Sequence, residues 1–227
     1  MRVLVVTAVA AEADSVAAGL TGPVLDARQL PGGYAPSRHG TVDVLAAGVG
    51  PAAAAAATAT ALALDAYDLV VSAGIGGGFQ PHAPIGALVV ADAIVAADLG
   101  AETPDGYLRV DELGFGRSIH RPPAALSQQT ADTLDAVYAP VLTVSTVTGT
   151  AARAAELRKR HPRAAAEAME GFGVAEAAAA HSVPVLEIRA VSNAVGPRDR
   201  ATWRIGQALD SLRYAFQLLN PLLEESP

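Results

Sequence analysis

The sequence predicts an α/β fold, a three-layer α/β/α sandwich around a central mixed, largely parallel sheet. Two observations lead to it. Short β-branched runs such as Val3-Leu4-Val5-Val6 show no polar alternation, the pattern of strands covered on both faces. These runs alternate with alanine-rich helical segments, with no repeat period and no low-complexity linker between them. The 227 residues are read as a single domain, 1–227, long enough to bury a proper core.

Taken in order, the Val3–Val6 run is expected to feed a helix over 8–20, with Glu12 and Asp14 in its first turns and an end near Gly19. A strand is expected over 42–47, then a turn at Gly48-Val49-Gly50, with Pro51 suited to the first turn of a helix reaching about Leu64. Residues 68–73 read as a buried strand running into Gly74-Ile75-Gly76-Gly77-Gly78-Phe79, expected to be the most flexible loop of the chain. A strand over 87–96 precedes a polar, glycine-bearing stretch, 98–120, expected to be an irregular loop reaching over a site or to a partner subunit. The remaining pattern predicts helix over 122–137, strand over 141–147, helix over 151–160, helix over 171–181 and strand over 184–191. The basic run Arg158-Lys159-Arg160 falls in a last helical turn, where cations suit the dipole. A closing helix over 202–223 carries Ile205, Leu209, Leu212, Phe216 and Leu219 on one stripe.

Composition excludes several functions. A net charge of −7 with only 16 Lys and Arg argues against a nucleic-acid partner. The absence of cysteine removes disulfides, thiolate metal sites and cysteine nucleophiles together. The histidines, His39, His82, His120, His161 and His181, lack ligand spacing and are expected mostly at the surface, so neither metal nor cofactor is expected. The N-terminal apolar run is too short for a signal core, and 52–64 is too short and too weakly hydrophobic to span a bilayer. The expectation is a soluble cytoplasmic protein with no membrane partner.

Chemistry concentrates between Glu167 and Asn193. This stretch puts a carboxylate at a helix opening and Ser192-Asn193 at a strand end, where open α/β sheets bind small ligands. Gly74-x-Gly76-x-Gly78 lacks the dinucleotide fingerprint, and there is no Walker sequence; its main chain either faces a ligand closely or makes a tight turn. Glu12, just past the first strand, has two readings: a general base, or a first-turn glutamate favoured by the helix dipole. Glu170 can accept two hydrogen bonds from a vicinal diol, as ribose offers, whereas Glu167, Glu176 and Glu187 read as surface or strand-end charges. The Asn193 amide can pair with a ring N–H and a carbonyl side by side, although Asn after a strand is also a common turn residue.

The segments ending at Glu12, Ser72-Ala73-Gly74-Ile75-Gly76-Gly77-Gly78, Ala168-Met169-Glu170-Gly171 and Arg189-Ala190-Val191-Ser192-Asn193 together resemble the purine nucleoside phosphorylase and nucleosidase superfamily. The likeness covers nearly the whole chain and implies a nucleoside phosphorylase-like sandwich. Within the superfamily the chain is most similar to the bacterial branch that hydrolyses futalosine, an inosine-like nucleoside, releasing hypoxanthine in the alternative menaquinone pathway. Cleavage of a glycosidic bond passes through an oxocarbenium-like state. The resemblance implies that Glu12 deprotonates water, Glu170 holds the ribose hydroxyls and Met169 packs under the sugar. It implies support from Arg189 and Ser192, base recognition by Asn193, and further substrate contacts at Ile75, Gly76, Thr150 and Phe172. It also implies a small-molecule nucleoside as partner and a homodimer or larger homo-oligomer, with 98–120 reaching into the neighbour's pocket.

Four departures from the pattern refine this. Asn193 stands where methylthioadenosine enzymes carry Asp; Asn cannot give up a proton but can donate to O6 and accept from N7–H, which favours a 6-oxopurine. Ser72 stands where related phosphorylases carry a phosphate-gripping arginine, which favours water over phosphate, unless Arg2, Arg28 or Arg38 reaches in. Ala151 replaces a base-stacking phenylalanine, leaving Phe172, Phe79 or Trp203 to stack, and Ala168 replaces an acid. The rival readings are a methylthioadenosine/S-adenosylhomocysteine nucleosidase, a purine nucleoside phosphorylase and a non-catalytic nucleoside-binding regulator.

Overall fold

The computed structural model describes residues 1–25 and 29–224. In chain order it runs β1 (Val3–Thr7), α1 (Ala10–Ala17), β2 (Val24–Leu25), β3 (Ser37–His39), β4 (Val42–Ala46), α2 (Pro51–Leu64) and β5 (Leu69–Gly78). Then follow β6 (Leu88–Ala96), β7 (Gly100–Thr103), β8 (Gly106–Arg109), β9 (Ile119–His120), α3 (Ala124–Leu134) and β10 (Val137–Thr143). The chain closes with α4 (Ala151–Arg160), β11 (Ala166–Ala168), α5 (Gly171–Ala180), β12 (Val185–Ala194) and α6 (Ile205–Glu224).

The large sheet is mixed, in the order β11-β10-β6-β12-β5-β1-β4-β3-β2. It holds two parallel blocks, β12-β5-β1-β4 and β6-β10-β11, joined by the antiparallel pair β6–β12. A further antiparallel pairing, β11 with β5, closes five of the strands into a ring. Helices cover both faces, and β1 shows why the apolar runs do not alternate with polar residues. Leu4 and Val6 pack with Ala54 and Ala57 of α2 and Val174 and Ala178 of α5. Val3 and Val5 pack on the other side with Val16 of α1, Leu134 of α3 and Leu212, Phe216 and Leu219 of α6. Each such fully buried leucine or phenylalanine contributes about 1.5–3 kcal/mol relative to exposure.

Several expectations are corrected. The glycine segment is not a flexible loop: β5 continues to Gly78, because β12 pairs with it in parallel as far as Ala194↔Gly78 and β11 pairs with Gly77 and Gly78 from the other side. Pairing on both sides overrides the low strand propensity of glycine. The 98–120 stretch is not irregular throughout. It holds the hairpin β7–β8 around a turn with Gly106 at φ 130°, then β9. The helix expected over 122–137 stops at Leu134, where Asp135 turns left-handed at φ 47°. The strand that follows starts four residues earlier than expected, at Val137, and leaves the sheet after Thr143, so 144–150 are loop. β12 runs past Val191, so Asn193 lies within a strand rather than after one. The short strands β2, β3 and β11 were not expected; β11, Ala-Glu-Ala, has almost no intrinsic strand preference. Among the described residues no helix is long and apolar enough to cross a membrane. The histidines divide: His39 and His120 are buried, His161 is half-buried, and His82 and His181 are exposed.

Candidate active site

The C-terminal ends of β1, β5, β11 and β12 converge on one cavity of about 250 Å³. The turn after β1 supplies Ala8 and Val9, and the first turn of α1 Glu12; β5 supplies Ile75, Gly76 and Gly77; β12 supplies Ser192 and Asn193. Glu167, Ala168, Met169 and Glu170 come from β11 and the start of α5, and Val147 and Thr148 from the loop after β10. Val49, Arg198 and Trp203 complete the wall. Strand ends of a parallel block are where α/β sheets place ligands, because the loops there leave the sheet together.

Glu12 is buried with its carboxylate turned inward. Its Oε2 accepts from the Ala8 and Val9 backbone N–H groups at 2.9 and 3.2 Å, and its Oε1 accepts from Ile75 N–H at 2.8 Å. The side chain thus folds back onto the turn that starts α1, as a glutamate at the third helical position readily does, and also clamps that turn to β5. Gly74 makes this approach possible: a Cβ there would lie 2.6 Å from Glu12 Oε1 and 2.7 Å from Arg189 Nη1.

Glu170, also buried, stands at the residue before α5, its side chain turned away from the helix's own N–H groups. Gly50 N–H donates to its Oε1 at 3.1 Å, and Met169 N–H to its Oε2 at 3.3 Å. Behind both carboxylates lies Arg189, with none of its surface exposed. Its Nε donates to Glu187 at 2.9 Å, its Nη2 to Ser72 Oγ at 2.8 Å, and its Nη1 stands 3.5 Å from Glu170. Burial works against the guanidinium's charge, but Glu187, Glu170 and Glu12 together hold its pKa above the ordinary arginine value. One cation serves three carboxylates. Accordingly burial pushes the Glu187 carboxyl above its usual range, with Arg189 only partly offsetting it. Glu187 is therefore the buried partner of Arg189, which corrects its reading as a surface or strand-end charge.

The other end of the cavity is built around Gly77, which pairs with Glu167 of β11 on one side and with Asn193 of β12 on the other. Glu167, too, is buried and not a surface charge: Thr148 N–H donates to its Oε1 at 2.8 Å and Thr148 Oγ1 to its Oε2 at 2.5 Å. Burial raises its pKa, and the Thr148 bonds counter only part of that. Asn193 Oδ1 accepts from Ser192 Oγ at 2.9 Å and its Nδ2 donates to the Ala194 carbonyl at 3.0 Å, an orientation set by that network. One Nδ2 proton and one Oδ1 lone pair remain free for a ligand.

Of the residues singled out in the sequence, Glu12, Ile75, Gly76, Met169, Glu170, Ser192 and Asn193 line this cavity. Three do not. Thr150 is exposed and caps α4, accepting from Arg153 N–H at 3.1 Å. Phe172 packs at a 57° tilt against His120, ring centroids 5.1 Å apart, and faces a separate cavity of about 160 Å³ with Pro51 and Thr143. Arg189 acts from behind the wall. Phe79 is buried in a core cluster, which leaves Trp203 as the aromatic ring at the cavity. Sequence reasoning missed Thr148, Val147 and Arg198; the turn residues Thr148-Gly149 carried no motif. Arg2 and Arg38 both pair with Asp43, at 2.7 Å each, near the opposite ends of β1 and β4. Arg28 lies outside the described residues. Among the described residues lining the cavity, Arg198 is the single cation, with its guanidinium 5.0 Å from the Trp203 ring.

Comparison with known proteins adds to this geometry. Residues 33–218 match the model of the phosphorylase superfamily. The futalosine hydrolase of Streptomyces coelicolor is 61% identical, over 99% of this chain and 97% of its own. That of Acidothermus cellulolyticus is 51% identical, over 95% and 89%. Among solved structures, the native futalosine hydrolase of Helicobacter pylori shares the fold with a TM-score of 0.80 at 15% identity, over 98% of both chains. The 5′-methylthioadenosine/S-adenosylhomocysteine nucleosidase of Colwellia psychrerythraea, in complex with adenine, does so with a TM-score of 0.81 at 24% identity, over 98% and 96%.

Proposed function

The chain belongs to the phosphorylase superfamily and, within it, to the futalosine hydrolases, and from that premise we propose that it hydrolyses the N-ribosidic bond of futalosine and releases hypoxanthine. The observation that carries this reading is the convergence of Glu12, Glu170 and Asn193 from separate stretches of chain on one cavity.

In the proposed reaction the C1′–N9 bond breaks and its electron pair moves into the purine. Charge spreads towards O6, where the free Asn193 Nδ2–H donates; once N7 takes a proton from solvent, Asn193 Oδ1 accepts from N7–H. Water attacks C1′, and its proton passes to Glu12, whose carboxylate is held by three backbone N–H groups. Glu170 accepts from the ribose hydroxyls and, with Glu12, lies across from the positive charge that grows on the sugar. Met169 packs against the sugar. No cofactor enters this scheme.

Two features support water rather than phosphate as nucleophile. Ser72, where the related phosphorylases carry an arginine, is fully buried and occupied with Arg189. Arg198, the cation lining the cavity among the described residues, stands on the exposed side. The reading carries with it a place in the alternative menaquinone pathway, in the cytoplasm. Self-association fits the exposed Phe115, Leu99 and Leu108 of the 98–120 segment. Base release from futalosine, inosine and 5′-methylthioadenosine, each with and without phosphate, tests the proposal: hypoxanthine from futalosine without phosphate is expected. Adenine release alone, or strict dependence on phosphate, would overturn it.

A further inference from the structure

The sequence gives Glu167 no role, yet its carboxylate is buried in the wall of the cavity, on the strand beside Gly77. Asn193 occupies the matching position on the strand at the other side of Gly77. Residues directly paired across a sheet point to the same face, and neighbouring strands lie about 4.8 Å apart, so the two Cα atoms stand roughly 10 Å apart across a residue with no side chain. A Cβ at Gly77 would approach Asn193 Nδ2 to 3.3 Å and Val195 Cγ2 to 2.9 Å. The glycine therefore lets Asn193 and Val195 close over β5, while Glu167, on the strand at the other side, and Asn193 both line the one cavity.

We propose that Glu167 is a specificity-determining residue that accepts the N1–H of a 6-oxopurine while Asn193 takes the O6/N7 side of the same base. Thr148 uses one lone pair on each carboxylate oxygen, which leaves one on each for the ligand. Opposite those lone pairs a 6-oxopurine presents a donor, N1–H. A 6-aminopurine presents the N1 lone pair, so the buried carboxylate would face another acceptor and stay unsatisfied, the arrangement that gives strong discrimination. Unlike Glu170, which stands 3.5 Å from Arg189, Glu167 forms no ion pair among the described residues; its partners are an amide and a hydroxyl. A neutral N–H donor completes such a shell, and burial, which raises the Glu167 carboxyl, makes that donor count for more.

This inference rests on the 6-oxopurine reading above, but its test needs no turnover. Hypoxanthine, 1-methylhypoxanthine and adenine are titrated calorimetrically into the wild-type protein and into Glu167→Gln. In the wild type, hypoxanthine is expected to bind at least ~10-fold more tightly than either of the others. Glu167→Gln should weaken hypoxanthine about 10-fold while adenine is unchanged or tighter, because the Gln amide can donate to N1. Equal loss for all three bases in the variant would mean that Glu167 only positions Thr148, and would overturn the proposal. Equal wild-type affinity for hypoxanthine and its 1-methyl derivative would do the same even if the variant failed to fold. Hypoxanthine release from futalosine alongside either result would leave the hydrolase reading standing without Glu167. Failure of the wild type to bind any base would overturn the proposal for Glu167, whereas the hydrolase reading stands or falls on base release from futalosine.

Discussion

The two ends of the cavity hold their carboxylates by different means. At one end Glu12 and Glu170 are fixed by backbone N–H groups and backed by the fully buried Arg189. At the other, Glu167 is held, among the described residues, by Thr148 and shares its end of the cavity with the neutral Asn193. An anion pair backed by a cation suits a centre where charge develops during reaction, because its geometry is set before the substrate arrives. A carboxylate held only by an amide and a hydroxyl suits recognition of a neutral edge by donor and acceptor pattern. The contrast separates catalysis from selectivity, and substitutions at each end should fail in different ways.

The largest effect is expected at Glu12. Glu12→Gln keeps the shape but removes the base, and should lower kcat by ~10³-fold or more while futalosine still binds; steady-state rates with a parallel binding titration check this. Gly74→Ala should come next. The new Cβ forces both Glu12 and Arg189 to move, so kcat/KM should fall by about 10²-fold with the ratio of hypoxanthine to adenine release unchanged. A changed ratio would break the separation between the two ends. At the recognition end, Asn193→Asp should move preference towards adenine nucleosides by ~10-fold, read from competing base release. An unmoved preference would remove Asn193 from base reading.

The smallest effect lies at neither end. His161 is half-buried with Nε2 lacking a hydrogen-bond partner among the described residues, and burial, then Arg160 and Arg109, lower its pKa from 6.5 to about 4. Between those values the unfolded chain binds a proton that the folded one refuses, so stability falls as pH drops through this window. After discounting for partial exposure the loss is about 1–2 kcal/mol. His161→Asn should flatten denaturant midpoints measured across that pH range and leave base preference alone.

What could be read from sequence follows the same division. Glu12 and Met169-Glu170 sit beside local signals, a strand end followed by a helix start, so their positions follow from neighbouring residues. Glu167 stands among alanines in Ala164-Ala165-Ala166-Glu167-Ala168, where neither propensity nor periodicity predicts a strand. Its burial comes from pairing with β5, far upstream, and only the folded sheet brings Gly77, Glu167 and Asn193 into one row. The glycine segment misled for the same reason, since its freedom in isolation is removed by a strand on either side. Glu187 was misjudged because its partner, two residues on, meets it only within the packed sheet. The alternation of apolar runs and helices, by contrast, is a local property and gave the three layers directly.

The account turns on water, activated by Glu12, as the nucleophile. The most direct test follows futalosine with wild type and Glu12→Gln in phosphate buffer by ¹H and ³¹P NMR. The account predicts hypoxanthine and free reducing sugar from the wild type, no sugar phosphate signal, and neither product from a variant that still binds substrate. A sugar 1-phosphate, or undiminished turnover by Glu12→Gln, would contradict it.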